Sequence, residues 1–485
     1  MTVLMRYARW CVLSLLFVHG SLLSAQNSLE GSLNCVLSDV VLSKAYVGVS
    51  IRNVKTNKVI FEKNANRSFT PASNLKLTTT AAALDILGPE YRFVTKVLYS
   101  DSINSTGFKG VLLIQGSGDP TFGSTKMLGQ MSYKSIIENI VREFKKKGLQ
   151  SFDGIIRIDP THFEYNPVPM DYTWGDIGNY YGAGSFGFNM NDNQSVIVFK
   201  PSIKVGGITS VQSITPWDSS YTFINHVFTG SAYSGDESVI YSSPYNTSYF
   251  AEGSIPAGNP FSVKASISNP AGLFATLLVE ELKQQQIAFK GTIEIVEQNQ
   301  KKASTSTYKL LYEFKSPTLK EITTYTNLIS NNLYAECLLK EIAYKKGGVG
   351  STSVGVAILK KYLSGKGIDT LGLVLRDGSG MSPFNSISPN QFTQLLTSNY
   401  SNNQFVSTIP IAGKQGTVSH ICKESGNTIR VKSGTMNGTT CYSGYVQADS
   451  GEVYAVSLLV NKHEAKNRTI QLELSKVLME VKQKG

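Results

Sequence analysis

The chain has 485 residues, 41% of them hydrophobic and 17% charged, and a formal net charge of +11. A chain of this length can bury large cores and is expected to form two or three domains. Its lysines and arginines are dispersed and build no basic–aromatic motif, which argues against a nucleic-acid partner and leaves solubility, or affinity for an anionic surface such as cell-wall polymer.

The first residues carry Arg6 and Arg9, then an apolar run from Trp10 to Val18 and small residues up to Ala25. This is the pattern of a secretory leader over residues 1–25, with an apolar core short for a membrane span. Its removal leaves +9. No later stretch is long and apolar enough to cross a bilayer, so the mature chain is expected to be soluble and outside the cytoplasm.

After the leader, a short amphipathic helix is expected over 28–41, then strands over 45–54 and 58–63 joined by Lys55-Thr56-Asn57. The stretch Thr70-Pro71-Ala72-Ser73-Asn74-Leu75-Lys76 opens the next helix, which runs from Leu75 to Leu87 and stops at Gly88-Pro89. Strand, strand, helix implies an antiparallel sheet with a helix packed on it. From about Phe93 to Phe261 the texture changes: turns multiply, short strands are expected at 111–115, 155–159 and 195–200, and one helix at 133–147. Gly182-Ala183-Gly184-Ser185-Phe186-Gly187 matches a dinucleotide fingerprint but lacks the strand before it and the helix after it, so it reads as a turn-rich loop. From Asn269 helices return, at 273–286 and from Leu319, followed by Ser330-Asn331-Asn332 and the loop Asp377-Gly378-Ser379-Gly380-Met381-Ser382. Strands over 428–433, 441–447 and 453–461 and a helix over 468–482 close the chain.

Four cysteines survive removal of the leader: Cys35, Cys337, Cys422 and Cys441. None stands in a Cys-x-x-Cys pair, which argues against zinc. In an oxidising compartment they allow three full pairings, with Cys422–Cys441 the most local. The histidines are scattered without metal-ligand spacing. No Gly-x-Ser-x-Gly elbow accompanies them, so a histidine-based serine triad is not expected.

What remains is a lysine-based serine site. Ser73 and Lys76 stand one helical turn apart on one face, at the positive end of the helix dipole. A lysine that sheds its proton in apolar surroundings makes such a serine a nucleophile with its own base. An N-capping serine beside a solvated lysine fits the same spacing. Another Ser-x-x-Lys, at Ser306 to Lys309, falls in a strand. Ser-x-Asn is uninformative alone, since Ser401-Asn402-Asn403 and Ser425-Gly426-Asn427 match as well as Ser330-Asn331-Asn332. Lys432-Ser433-Gly434-Thr435 contains the one Lys-[Ser/Thr]-Gly of the chain. Chemically, Ser330 can relay a proton to a leaving amine, and Asn332 can hold a substrate amide. Lys432 can depress the proton affinity of Lys76 and attract a carboxylate that Ser433 and Thr435 also bind. The backbone N–H groups of Ser73 and Thr435 can form an oxyanion hole.

In this order the three motifs are the signature of penicillin-binding proteins and class A β-lactamases. With 257 positions between Ser73 and Ser330 and 102 between Ser330 and Lys432, the chain resembles the D-alanyl-D-alanine carboxypeptidase/endopeptidase family of penicillin-binding proteins. Gly116-Ser117-Gly118-Asp119-Pro120, Tyr181-Gly182-Ala183 and Asp377 to Ser382 support the resemblance. It departs at Ser433, where threonine is commoner, and at Pro383, where relatives often have arginine. The resemblance implies an α+β transpeptidase domain, an antiparallel sheet flanked by helices, made of residues 26–95 and 262–485. The insertion, 96–261, is expected to be mostly β and to form two small domains. It further implies serine acyl transfer on peptidoglycan stem peptides, acylation by β-lactams, no metal or organic cofactor, and residence in the periplasm or cell envelope. A β-lactamase and a catalytically silent wall-binding protein are the competing readings.

Overall fold

The computed structural model describes residues 28–100, 107–298 and 307–485. The expected leader, and Ser306 of the second Ser-x-x-Lys, lie outside the described residues.

The two ends of the chain build one sheet. Its five antiparallel strands run in the order Ile429–Met436, Thr439–Gln447, Val453–Asn461, Tyr46–Asn53 and Val59–Lys63. Both faces are covered, so the middle strands are buried along nearly their whole length. On one face the helices Leu29–Leu37 and Asn467–Lys484 pack through Leu33, Leu37, Leu474 and Leu478 onto Val49, Val431 and Leu458. On the other, Cys441, Tyr445, Ala455 and Leu459 join a larger core with the helices Lys76–Leu87, Asn332–Gly347 and Pro389–Asn399.

Lys76–Leu87 lies at the centre of that core. Its alanines and leucines are good helix formers, and its first nine residues are all buried, as expected for a helix with no water-facing side. It ends where Gly88, at φ 88°, returns its N–H to the carbonyl of Leu84.

The central region contains two units. One is a mixed five-stranded sheet in the order Thr292–Ile295, Ile155–Asp159, Val111–Gln115, Val94–Ser100 and Tyr308–Lys315. The helices Tyr133–Lys146 and Pro270–Gln284 share its core through Ile140, Phe144, Phe274 and Leu278. The other is all β: the sheets Thr222–Thr229/Ser248–Ile255/Val239–Tyr241 and Phe261–Ser266/Gln194–Lys200/Ser210–Thr215 enclose Phe199, Val227, Ile240 and Tyr249. Strand pairing joins Thr292–Ile295 and Tyr308–Lys315 to the sheet that holds Val94–Ser100. Long-range pairing leaves no trace in local texture. Two long helices, Tyr133–Lys146 and Pro270–Gln284, pack on the sheet of the central region's first unit.

The Cys422–Cys441 pairing is corrected. All four described cysteines are free thiols. Cys441 packs into the core on one face of the terminal sheet, while Cys422 packs on the other, its thiol donating to the carbonyl of Ser475. The sheet itself keeps them apart.

Candidate active site

The three motifs meet where the helix Lys76–Leu87 abuts the strand Ile429–Met436. Ser73 sits in the 3-10 turn Ala72–Leu75 that leads into the helix, and its hydroxyl caps nothing. The turn is set by Ala72, fully buried at φ 46°, a left-handed conformation that a residue with a Cβ seldom adopts. Asn74 ties it to the sheet by donating to Ser443 Oγ at 2.8 Å. Gly434 is needed where strand and turn meet, because a Cβ there would lie 2.7 Å from the Pro71 carbonyl oxygen and 3.0 Å from the Asn74 nitrogen. Gly380 faces the turn from the opposite side, where an added Cβ would be 1.9 Å from the Ala72 oxygen.

Lys76 is wholly buried. Its Nζ lies 2.9 Å from Ser73 Oγ, 2.6 Å from Asn332 Oδ1 and 2.6 Å from the Ser379 carbonyl. These are as many partners as an ammonium has protons. Burial brings its pKa down to about 7, against the pull of the Asp377 and Glu336 charges, which favour the ammonium. The solvated-lysine reading of this pair is thereby overturned.

Ser330 and Asn332 owe their spacing to a helix junction. The helix Leu319–Ile329 ends at Ser330 in the left-handed conformation (φ 62°, ψ 39°). Asn331 then caps the next helix by accepting from Tyr334 N, and Asn332 is that helix's first residue. The Asn332 amide is held from both ends, accepting from Lys76 and donating to the Tyr181 carbonyl at 2.8 Å.

Lys432 is also fully buried; its Nζ donates to Ser330 Oγ at 2.9 Å and to the Ser433 carbonyl at 2.6 Å. Burial, and then repulsion from Lys76, hold its pKa well below the ordinary lysine value. Thr435 is exposed at the strand's open end. The Ser433 hydroxyl is paired with Thr417 Oγ1 at 2.7 Å, a partner sequence reasoning missed.

Three more groups stand behind the lysine. Glu336, one turn beyond Asn332 on the same helix, accepts from the backbone of Gly378 and Ser379 and from the Tyr172 hydroxyl. Asp377 accepts from Gly380 N, Ser382 N and Asn385 Nδ2; burial and the Glu336 charge raise its pKa to about 7. Tyr172, from the central region, also bonds Ser379 Oγ at 2.8 Å. The i, i+4 spacing of Asn332 and Glu336 was a usable signal for the glutamate; nothing near Tyr172 announced it. Of the supporting motifs, Asp377 to Ser382 and Tyr181 touch the site. Asp119 instead folds its own loop, accepting from Thr121, and Ser117 bonds Thr95. Pro383 lines a groove of about 650 Å³ with Arg67, Thr70, Phe384 and Lys462, close in the chain to Ser73.

A serine and a buried lysine, with a hydroxyl and a second lysine opposite, on an antiparallel sheet flanked by helices, fit a serine-type acyl-transfer hydrolase of the penicillin-binding class. More narrowly, the chain belongs to the D-Ala-D-Ala carboxypeptidase 3 (S13) family, whose model matches residues 29–481. It is 28% identical over 454 residues to a D-alanyl-D-alanine carboxypeptidase of Actinomadura sp. (strain R39), covering 90% of this chain and 81% of that one. It is 24% identical to the D-alanyl-D-alanine carboxypeptidase DacB of Haemophilus influenzae, covering 91% of each. The fold is like that of the crystal structure of penicillin-binding protein 4 from Haemophilus influenzae (TM-score 0.78, 21% identity, 92% of this chain and 97% of that one). A second structure of that protein, at TM-score 0.72, holds a β-lactam and is 20% identical over 93% of this chain and 99% of that one.

Proposed function

We propose that this chain is a serine DD-carboxypeptidase that also cleaves D-alanyl cross-links, with Ser73 as nucleophile and Lys76 as its base. Neutral Lys76 takes the Ser73 proton as Oγ attacks the carbonyl carbon of the penultimate D-alanine. The new C–O bond gives a tetrahedral oxyanion, held by the N–H groups of Ser73 and Thr435. As the C–N bond breaks, the proton passes through Ser330, beside Lys432, to the departing amine, and the D-alanine leaves. Water then attacks the Ser73 ester and gives its proton to Lys76; the acyl C–Oγ bond breaks, Lys76 returns that proton to Ser73 Oγ, and the shortened peptide leaves as its carboxylic acid. Lys432, with the hydroxyls of Ser433 and Thr435, holds the terminal carboxylate, and Asn332 orients the peptide amide. A β-lactam enters the same sequence but its leaving amine stays tethered, so the acyl-enzyme persists.

The observation that carries this reading is the buried Lys76 amine, 2.9 Å from Ser73 Oγ, with its pKa at about 7. No helix among the described residues is long and apolar enough to cross a membrane, and together with the leader-like residues 1–25 this supports a periplasmic location. We assign residues 28–93 and 316–485 to the catalytic unit and 94–315 to the insertion. Incubation with a fluorescent penicillin tests the function: the parental protein should label stably, and Ser73→Ala should abolish labelling and lower peptide turnover by at least ~10³-fold. Rapid release of the label would favour a β-lactamase, and labelling of Ser73→Ala would remove the serine from its role.

A further inference from the structure

The strand Ile429–Met436 is the last of the terminal sheet, paired with Thr439–Gln447 on one side. Along its other side lies the segment from Pro410, tied on where Ala412 N donates to the Ile429 carbonyl and Val431 N to the Pro410 carbonyl. The chain then turns back, with Gln415 N on the Ile411 carbonyl and Gly413 N on the Val418 carbonyl. The 3-10 turn Gly416–Val418 that closes this loop brings the half-buried Thr417 to the strand, its Oγ1 2.7 Å from Ser433 Oγ.

The turn is held from several sides. Val418 is fully buried in the core between the sheet and the helix Asn467–Lys484. Gly416, at φ 49°, lies so close to the helix Leu319–Ile329 that an added Cβ would be 1.9 Å from the Leu328 carbonyl oxygen. Gln415 Oε1 accepts from Ile411 N at 2.9 Å. Thr417 is therefore fixed relative to the helix that ends at Ser330 and to the strand that carries Lys432.

Ser433 has less to fix its own hydroxyl. Alternation along the strand turns it from the face that Lys432 and Gly434 share, so its hydroxyl meets a ligand from the strand's outer edge. A serine also lacks the branched Cβ that narrows the rotamers of a threonine. A carboxylate only accepts, and Ser433 has one proton to offer it. That proton is free for the ligand when Thr417 donates to Ser433 Oγ and Ser433 donates onward. Such a chain of hydroxyls polarises along its length and strengthens its last bond.

We propose that Thr417 is a positioning residue for the substrate's terminal carboxylate, acting through Ser433; this rests on the function proposed above. It sets the direction of the Ser433 hydroxyl from the outer edge of the strand and supplies the donor that leaves the Ser433 proton for the ligand. The ligands that depend on it are those with a free carboxylate beside the bond to be broken.

The test compares Thr417→Val, which keeps the shape and removes the hydroxyl, with Thr417→Ser, which keeps the hydroxyl. On a peptide ending in D-alanyl-D-alanine, Thr417→Val should raise KM about tenfold and change kcat by less than about twofold. On the same peptide amidated, the rise in KM should stay below about twofold. Thr417→Ser should restore most of the parental KM. Ser433→Ala, alone or combined with Thr417→Val, should give one and the same KM, because the threonine acts through the serine. A parental KM in Thr417→Val would overturn the proposal, and so would equal rises on both peptides or penalties that add in the double variant. A lower melting temperature that Thr417→Ser does not share with a restored KM would make the residue structural and overturn it too. A parent that cleaves no D-alanyl peptide and takes no penicillin would remove the catalytic reading itself, whereas an active parent with any of these contrary results removes this inference alone.

Discussion

If Lys76 is the base, the pH dependence of acylation reports its titration. A lysine with a pKa of about 7 is about one-tenth neutral at pH 6 and about nine-tenths neutral at pH 8. The second-order rate of fluorescent-penicillin acylation should therefore rise about tenfold per pH unit below 7 and level off near 8. The sign follows from the role: a base works unprotonated, so activity is lost as pH falls through about 7. Asp377 titrates in the same range and faces the same lysine, so the limb belongs to the cluster. Asp377→Asn removes a charge that favours the ammonium and should move the limb to lower pH. Lys76→Arg places a group that keeps its proton and should cost at least ~10³-fold at every pH. A flat profile between pH 5.5 and 8.5, or a limb in the carboxylate range, would refute Lys76 as the base.

Gly434→Ala should push the strand off the turn that carries Ser73, lowering acylation by about 10²-fold or more with secondary structure intact by circular dichroism. Parental labelling would show that the strand yields. Lys432→Ala should raise KM for peptides ending in a free carboxylate more than for the same peptides amidated; equal effects on both would remove the carboxylate role. Tyr172→Phe leaves buried Glu336 and Ser379 each short of a partner and should cost about 1–3 kcal/mol of stability, read as a lower melting temperature. An unchanged melting temperature would mean that the carboxylate finds another donor.

The elements near the chain ends were legible because their signals are local. The helix after Ser73 is bounded by Pro71 and Gly88, and the last strands alternate or run apolar between clear turns. What escaped is what depends on distant pairing. The strands at 292–295 and 308–315 belong to the sheet begun at Val94, and no composition change marks this. The Ser433–Thr417 bond and the contacts of Tyr172 likewise join segments that only folding brings together. Within the site, motif order named side chains that the fold brings together, but the turn at Ala72 was hidden because nothing about an alanine advertises a positive φ. The cysteine pairing failed for a related reason: nearness in sequence says little about which face of a sheet a side chain takes.

Lys76 and Asn332 meet across a long stretch of chain, and the way the central region is attached helps to fix that meeting. The helix Asn332–Gly347 carries Asn332 and Glu336, and residues of the central region grip it turn after turn. Tyr181 accepts from Asn332, and Asp192 from the Tyr334 hydroxyl. Tyr172 donates to Glu336, and buried Lys340 reaches the carbonyls of Asn166 and Ser185. Each bond is polar and most are buried, so breaking one strands a partner in a low-dielectric interior. The helix is thus fixed from one side by the catalytic core and from the other by the insertion. The amide facing Lys76 and the carboxylate behind it are each held in part by a group of the central region, the Tyr181 carbonyl and the Tyr172 hydroxyl. The central region therefore bears on Lys76 at one remove, through Asn332 and Glu336.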